Sequence, residues 1–136
     1  MSEGYEIYEQ GRAAMRDGRF ADAIEFLERS AVLDPHFKTF ELIGECLMKL
    51  NRFAEAVGPL AAAVALNRGV RAPSLLVECF HAIGRIEDAW EFAKVALLRD
   101  PTNRRAKDIL NKMEANQASH APSDPAPGAA PVEPPG

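Results

Sequence analysis

An all-α solenoid is the fold this sequence predicts: three helix–turn–helix units in tandem, closed by a seventh, capping helix. Three observations predict it. Gly18-Arg19-Phe20-Ala21-Asp22-Ala23-Ile24 is echoed by Asn51-Arg52-Phe53-Ala54-Glu55-Ala56-Val57 and then by Gly84-Arg85-Ile86-Glu87-Asp88-Ala89-Trp90, each 33 residues after the last. A fixed period of this size marks one supersecondary unit stacked on copies of itself. Between the echoes, apolar residues keep helical spacing, and Asp34-Pro35 and Asp100-Pro101 punctuate the first and third units.

The first helix is predicted over Glu3–Arg16, with Ile7, Ala14 and Met15 among its apolar residues. Asp17-Gly18 ends it, because Gly suits the left-handed residue after a helix. The second runs about Phe20–Leu33, where Ala23, Ile24, Leu27 and Ala31 form a buried stripe, and Asp34-Pro35 stops it. The third, about His36–Lys49, turns Phe40, Ile43, Leu47 and Leu50 to the core. The fourth, about Phe53–Leu66, carries Ala56, Val57, Leu60, Ala63 and Val64. Within it Pro59 is expected to kink the helix, since its ring clashes with the Glu55 carbonyl. The fifth starts near Pro73 and ends at Ile83-Gly84. The sixth, about Ile86–Arg99, holds Ala89, Trp90, Ala93 and Leu97. The seventh, about Asn103–Asn116, has one apolar stripe (Ala106, Ile109, Leu110, Met113) and one wet face, as the end of a repeat stack requires.

The expected organisation is repeats at about 4–36, 37–69 and 70–102, a cap over 103–116, and a Pro/Ala-rich tail over 117–136. Pro122, Pro125, Pro127, Pro131, Pro134 and Pro135 crowd that tail, and Val132 is its one large apolar residue. Nothing there offsets the entropy of ordering, so disorder is expected. Its two PxxP spacings are weak docking signals.

The 136 residues are 47% hydrophobic and 26% charged, with a net charge of -4. That suits one ordinary globular domain, and a mildly acidic chain has no electrostatic footprint for nucleic acid. Cys46 and Cys79 lie one repeat apart, so packed helices hold them about 10 Å from each other, beyond disulfide reach. They are expected to be buried apolar residues. No apolar run reaches the roughly 18 residues of a membrane span, and the acidic start, Met1-Ser2-Glu3-Gly4, is unlike a secretory signal. The expected location is cytoplasmic. No metal-ligand or phosphate-binding spacing links His36, His81 or His120 to other candidates. No catalytic residue and no cofactor are expected.

With the helix pairs placed, the chain resembles the tetratricopeptide repeat family. Gly11, Ala14, Gly18, Phe20, Ala23, Leu27, Ser30 and Pro35 occupy the pattern's small and large places in the first unit. Phe40, Ile43, Gly44, Leu47, Phe53, Ala56, Leu60 and Ala63 do so in the second. Leu76, Phe80, Gly84, Ala89, Ala93, Ala96 and Pro101 do so in the third. Departures are Ile7 for the usual aromatic, Asn67-Arg68-Gly69 for the usual Pro, and Val77 for the usual Gly. The resemblance implies a right-handed superhelix whose concave groove is lined by the first helix of each pair and binds extended peptides. The residues projected into that groove are Tyr5, Tyr8, Arg12, Met15 and Arg16, then Glu41, Glu45, Met48 and Lys49, then Ser74, Glu78, His81 and Ala82. The groove is therefore expected to be aromatic and basic at its N-terminal end and acidic in the middle.

Co-chaperones of this family grip a C-terminal carboxylate with a cationic and amide clamp. The matching places hold Tyr8, Arg12, Leu42, Glu78 and Ala82, of which only Arg12 suits that task, so chaperone tails are not the expected ligand. On the convex side, a patch of Phe26, Pro59, Ala61, Ala62, Ala65, Phe92 and Val95 is expected, because the fourth helix lacks a polar face. The resulting expectation is a non-catalytic interaction module with a protein or peptide partner, and neither nucleic acid nor membrane. Type III translocator chaperones, which share three such repeats, are one alternative, although they carry an extra N-terminal helical segment that this sequence does not display. A homo-oligomer built through the convex patch is the other.

Overall fold

The computed structural model describes residues 2–120, with side chains described for 2–116. Seven helices follow in order: α1 Glu3–Arg16, α2 Phe20–Leu33, α3 Phe37–Lys49, α4 Phe53–Leu66, α5 Arg71–Ala82, α6 Ile86–Arg99 and α7 Arg104–His120. Four begin and end where apolar spacing placed them. His36 lies just outside α3 as its N-cap, its ring accepting a hydrogen bond from the Lys38 backbone N–H at 3.1 Å. Helix α5 starts at Arg71, two residues before Pro73, which a first turn accommodates because its N–H groups need no intrahelical partner. Helix α7 continues to His120 rather than ending at Asn116. No residue from Glu114 to Ser119 breaks a helix, and the next breaker in the sequence is Pro122. The expected tail therefore gives up residues 117–120 to α7, and residues 121–136, with the PxxP spacings, lie outside the described residues.

The echoed heptapeptides build one turn three times. Gly18, Asn51 and Gly84 adopt positive φ values of 77°, 59° and 80°. That left-handed step costs Gly nothing and is tolerated by Asn. The next residue then donates back to the helix it leaves: Arg19 to the Ala14 carbonyl at 2.9 Å, Arg52 to Leu47 at 2.8 Å and Arg85 to Phe80 at 2.8 Å. Each of these arginines also pairs with an acid one turn on, Asp22, Glu55 and Asp88, at 3.0, 2.6 and 2.6 Å. The pairs are exposed, so they add only about 0.3–0.5 kcal/mol each.

Paired helices approach through a size code. A side-chain carbon on Gly11 would lie 2.8 Å from Leu27 Cγ, and one on Gly44 would lie 2.5 Å from Leu60 Cγ. The leucines occupy the space the glycines vacate, and both are fully buried. In the third unit the equivalent places are Val77 and Ala93, each 0% exposed. The bulk that Val77 adds is offset by the bulk lost where alanine replaces leucine.

The missing proline at Asn67-Arg68-Gly69 is replaced by a clamp from the next unit. Arg99 of α6 donates to the Asn67 carbonyl at 3.0 Å and the Gly69 carbonyl at 2.9 Å. Asn67 Oδ1 accepts the Gly69 backbone N–H at 2.7 Å. Helix α4 runs through Pro59 unbroken. Gly58 before it removes the Cβ that a proline ring would otherwise crowd. Cys46 and Cys79 are buried free thiols.

Candidate functional site

Helices α1, α3, α5 and α7 line one face, because three cavities each span neighbouring members of that set. The first, about 270 Å³, joins α1 to α3 and is lined by Gly4, Tyr5, Tyr8, Ser30, Asp34, His36, Lys38 and Thr39. The second, about 360 Å³, is lined by Glu45, Met48, Lys49, Phe53, Arg71, Leu75, Glu78 and Arg105. The third, about 290 Å³, holds Phe53, Glu78, His81, Ala82, Ile109 and Lys112. A larger trough of about 550 Å³ runs along α6 alone and is open surface.

The wall carries aromatic and ionic structure. At the N-terminal end Tyr5 and Tyr8 stack with ring centroids 6.1 Å apart. Arg12 lies 6.0 Å over the Tyr8 ring and pairs with Glu9 at 3.4 Å. The Glu9 carboxylate, first as a hydrogen-bond partner, pushes the Tyr5 phenol pKa up; burial does the same for Tyr8, against the opposing charge of Arg12. In the middle, Arg71 grips Glu45 with two contacts, at 2.9 and 2.8 Å. Farther along, Arg105 pairs with Glu78. Each bridge crosses from one groove helix to the next, and the two-contact geometry of Arg71 on Glu45 fixes position as well as charge.

These bridges correct the expectation of an acidic middle. Glu41 is 4% exposed and sits between Lys38 Nζ at 3.4 Å and Arg71 Nε at 3.9 Å. It is a buried, paired acid, not an open groove residue. Ser74 is likewise buried at 3%, its hydroxyl donating to the Val70 carbonyl at 2.8 Å. Both occupy the repeat position of Tyr8, which tips towards the seam between neighbouring helices, so the short Ser74 side chain does not reach the surface. Tyr5, Arg12, Arg16, Lys49 and His81 are exposed, and Tyr8, Met15, Glu45, Met48 and Glu78 are half-buried. The second cavity brings Glu45, Met48, Lys49 and Glu78 together, and Met15 and Arg16 line none of the three cavities.

Sequence reasoning missed Lys38, Arg71, Arg105, Ile109 and Lys112. The signal for the first two was present: Tyr5, Lys38 and Arg71 share one place in the 33-residue repeat. Arg105 falls on the wet face that the end of a repeat stack presents, which gives no signal of a bridge to Glu78.

The convex patch dissolves in part. Phe92 stacks on Phe80 at 5.7 Å, and Phe26 packs where Gly11 has no side chain, with its Cβ 3.4 Å from that position. Both serve packing within a helix pair. Ala61 and Ala65 are exposed, while Pro59, Ala62 and Val95 are half-buried. Among the described residues the most exposed large apolar side chains are Leu98 at 85% and Val32 at 83%. The thiols of Cys46 and Cys79 are pushed up to about 11 by burial and, second, by the adjacent Glu45 and Glu78. They are poor nucleophiles.

Residues 8–70 match the model of the family described as Tetratricopeptide repeat. The 33-residue echo carries the same pattern through the third unit. Residues 8–70 belong to the tetratricopeptide repeat family. No curated protein matches it. Among solved structures it is similar to the first TPR of Spaghetti (RPAP3) bound to the HSP90 peptide SRMEEVD, at TM-score 0.80 and 24% identity, covering 85% of this chain and 94% of that one. It is similar to MamA at TM-score 0.81 and 22% identity, covering 85% and 69%. It also resembles the Yersinia enterocolitica type III secretion chaperone SycD in complex with a peptide of the translocator YopD, at TM-score 0.79 and 17% identity, covering 86% and 97%. At these identities the likenesses establish the tetratricopeptide fold. No helix among the described residues is long and apolar enough to cross a membrane.

Proposed function

We propose that this tetratricopeptide stack is a non-catalytic interaction module of the cytoplasm that binds an extended peptide on its α1–α3–α5 face. The observation that carries this reading is the make-up of that face. It combines two stacked tyrosines, half-buried methionines and arginine–glutamate bridges that hold the groove helices in register. Aromatic and arginine side chains dominate binding energy where peptides dock. Support comes from the RPAP3 and SycD structures, whose stacks hold peptides.

The residues argue for a ligand other than an EEVD-type tail. A C-terminal carboxylate needs convergent donors. Here Leu42 is buried, Ala82 carries none, and Glu78 is an acid already bridged by Arg105. Helix α7 adds Arg105, Ile109 and Lys112 to the far end of the groove, so the cap belongs to the proposed binding surface.

A pulldown comparing the natural sequence with Tyr8→Ala plus Glu45→Lys tests the reading. Loss of the captured partner is expected, and an unchanged set refutes the groove. Co-purification with a membrane-translocator protein would favour the secretion-chaperone alternative. Concentration-dependent sedimentation lost on Leu98→Glu would favour an oligomer.

A further inference from the structure

The arginine–glutamate bridges run across two junctions of the groove and skip the first. Glu45 of α3 meets Arg71 of α5, and Glu78 of α5 meets Arg105 of α7. One repeat earlier, the places of Glu45 and Arg71 hold Arg12 and Lys38. Two cations cannot bridge, and each turns to an acid of its own helix, Glu9 and Glu41, at 3.4 Å. At this unbridged junction lies the 270 Å³ cavity.

Its lining is specific. Tyr5 and Tyr8 form an aromatic wall. Thr39 is 2% exposed and lines the cavity, and its hydroxyl has no hydrogen-bond partner among the described residues. A hydroxyl at a cavity wall with no protein partner can exchange water for a ligand group. Ser30, also 2% exposed, already donates to the Gly4 carbonyl at 2.7 Å and is left with acceptor capacity. At the rim, Asp34 has no ion-pair partner among the described residues, while the Lys38 ammonium sits close by. With Asp34 and Lys38 both at the rim the two signs offset, so little repays the desolvation of a charged ligand group. A neutral group that both donates and accepts satisfies Asp34, Ser30 and Thr39 together. The volume falls below the roughly 300–1,000 Å³ of drug-sized sites, which suits one side chain and not a cofactor.

We infer that this cavity is a specificity pocket for a neutral aromatic side chain with a hydroxyl tip, a tyrosine of the bound peptide. Its ring stacks against Tyr5 and Tyr8, and its phenol reaches Thr39 and Asp34. The inference rests on the groove reading, since the tyrosine belongs to a peptide lying along that face.

The test uses the side-chain analogue p-cresol on the full chain, with toluene, 4-methylbenzoate and 4-methylbenzylamine as competitors, followed by amide NMR. The expected result is shifts centred on Gly4, Ser30 and Thr39, with p-cresol binding about fivefold tighter than toluene, the scale of one net hydrogen bond. Thr39→Val, which keeps the shape, and Asp34→Asn each narrow the p-cresol preference without removing toluene. Toluene equal to p-cresol in the natural sequence, or tightest binding by the benzoate or the amine, overturns the inference, as do shifts elsewhere. Peptide binding on the groove with no p-cresol in the cavity overturns this inference alone. The reverse pattern, p-cresol bound but no groove peptide, overturns the reading beneath it.

Discussion

The size code between paired helices makes a quantitative prediction. Gly44 faces Leu60 in the second pair, and Val77 and Ala93 take the equivalent places in the third. Transplanting the third solution into the second means Gly44→Val with Leu60→Ala. Alone, Leu60→Ala removes a fully buried side chain and costs about 2–5 kcal/mol. Alone, Gly44→Val begins its side chain 2.5 Å from Leu60 Cγ, which forces α3 and α4 apart at about 1–3 kcal/mol. The gain in helix propensity over Gly returns only about 0.4 kcal/mol. Together, the new bulk fills the new void. The double variant should therefore be more stable than Leu60→Ala, with a coupling energy of about 2 kcal/mol or more, near the top of the range for contacting residues. Urea unfolding followed by helical circular dichroism and by Trp90 fluorescence measures all four corners of the cycle. Additive losses would refute the claim that complementary volume sets the approach of each pair.

Other consequences are separate. Arg99→Ala should cost about 1.5–3 kcal/mol, because two carbonyls at the end of α4 lose a charged donor; urea midpoints check it, and no loss would show that water caps that end equally well. Glu55 titrates below its ordinary value because Arg52 hydrogen-bonds its carboxylate, and Asp100 does so because Thr102 hydrogen-bonds its own. A depressed folded pKa stabilises above the unfolded value and loses that stabilisation as pH falls through the folded one. Carboxyl NMR titration should show Glu55 moving up towards 4.5 in Arg52→Ala, and Asp100 rising only part-way in Thr102→Val, whose backbone N–H still donates. Cys46 and Cys79 should react with a thiol reagent at neutral pH only at the rate of unfolding, given burial and values of about 11; fast labelling of the native state would contradict their burial.

The scaffold was legible because it is periodic. Gly18, Asn51 and Gly84 announce the same left-handed turn, and Leu27 and Leu60 the same buried partner, so local chemistry and long-range packing repeat together. The site was legible only in part because its chemistry is aperiodic. The bridge from Arg71 to Glu45 joins residues 26 apart, and it exists because the second unit has an acid where the first has Arg12. Glu41 and Ser74 were misplaced for a related reason. A helical projection fixes which way a side chain points, but burial there depends on what the neighbouring helix brings, and Arg71 and Lys38 close over Glu41. Phe92 was misread as surface because its partner, Phe80, lies on the other helix of the pair.

The claim that ligand enters on the concave face is tested most directly by amide NMR with a peptide selected by display against the natural chain. Shifts should cluster at Tyr8, Arg12, Lys49, Arg71 and His81, and Arg71→Glu should weaken binding about tenfold or more, equivalent to about 1.4 kcal/mol. Shifts confined to Ala61, Ala65, Val32 and Leu98, with Arg71→Glu binding as tightly as the natural sequence, would contradict it.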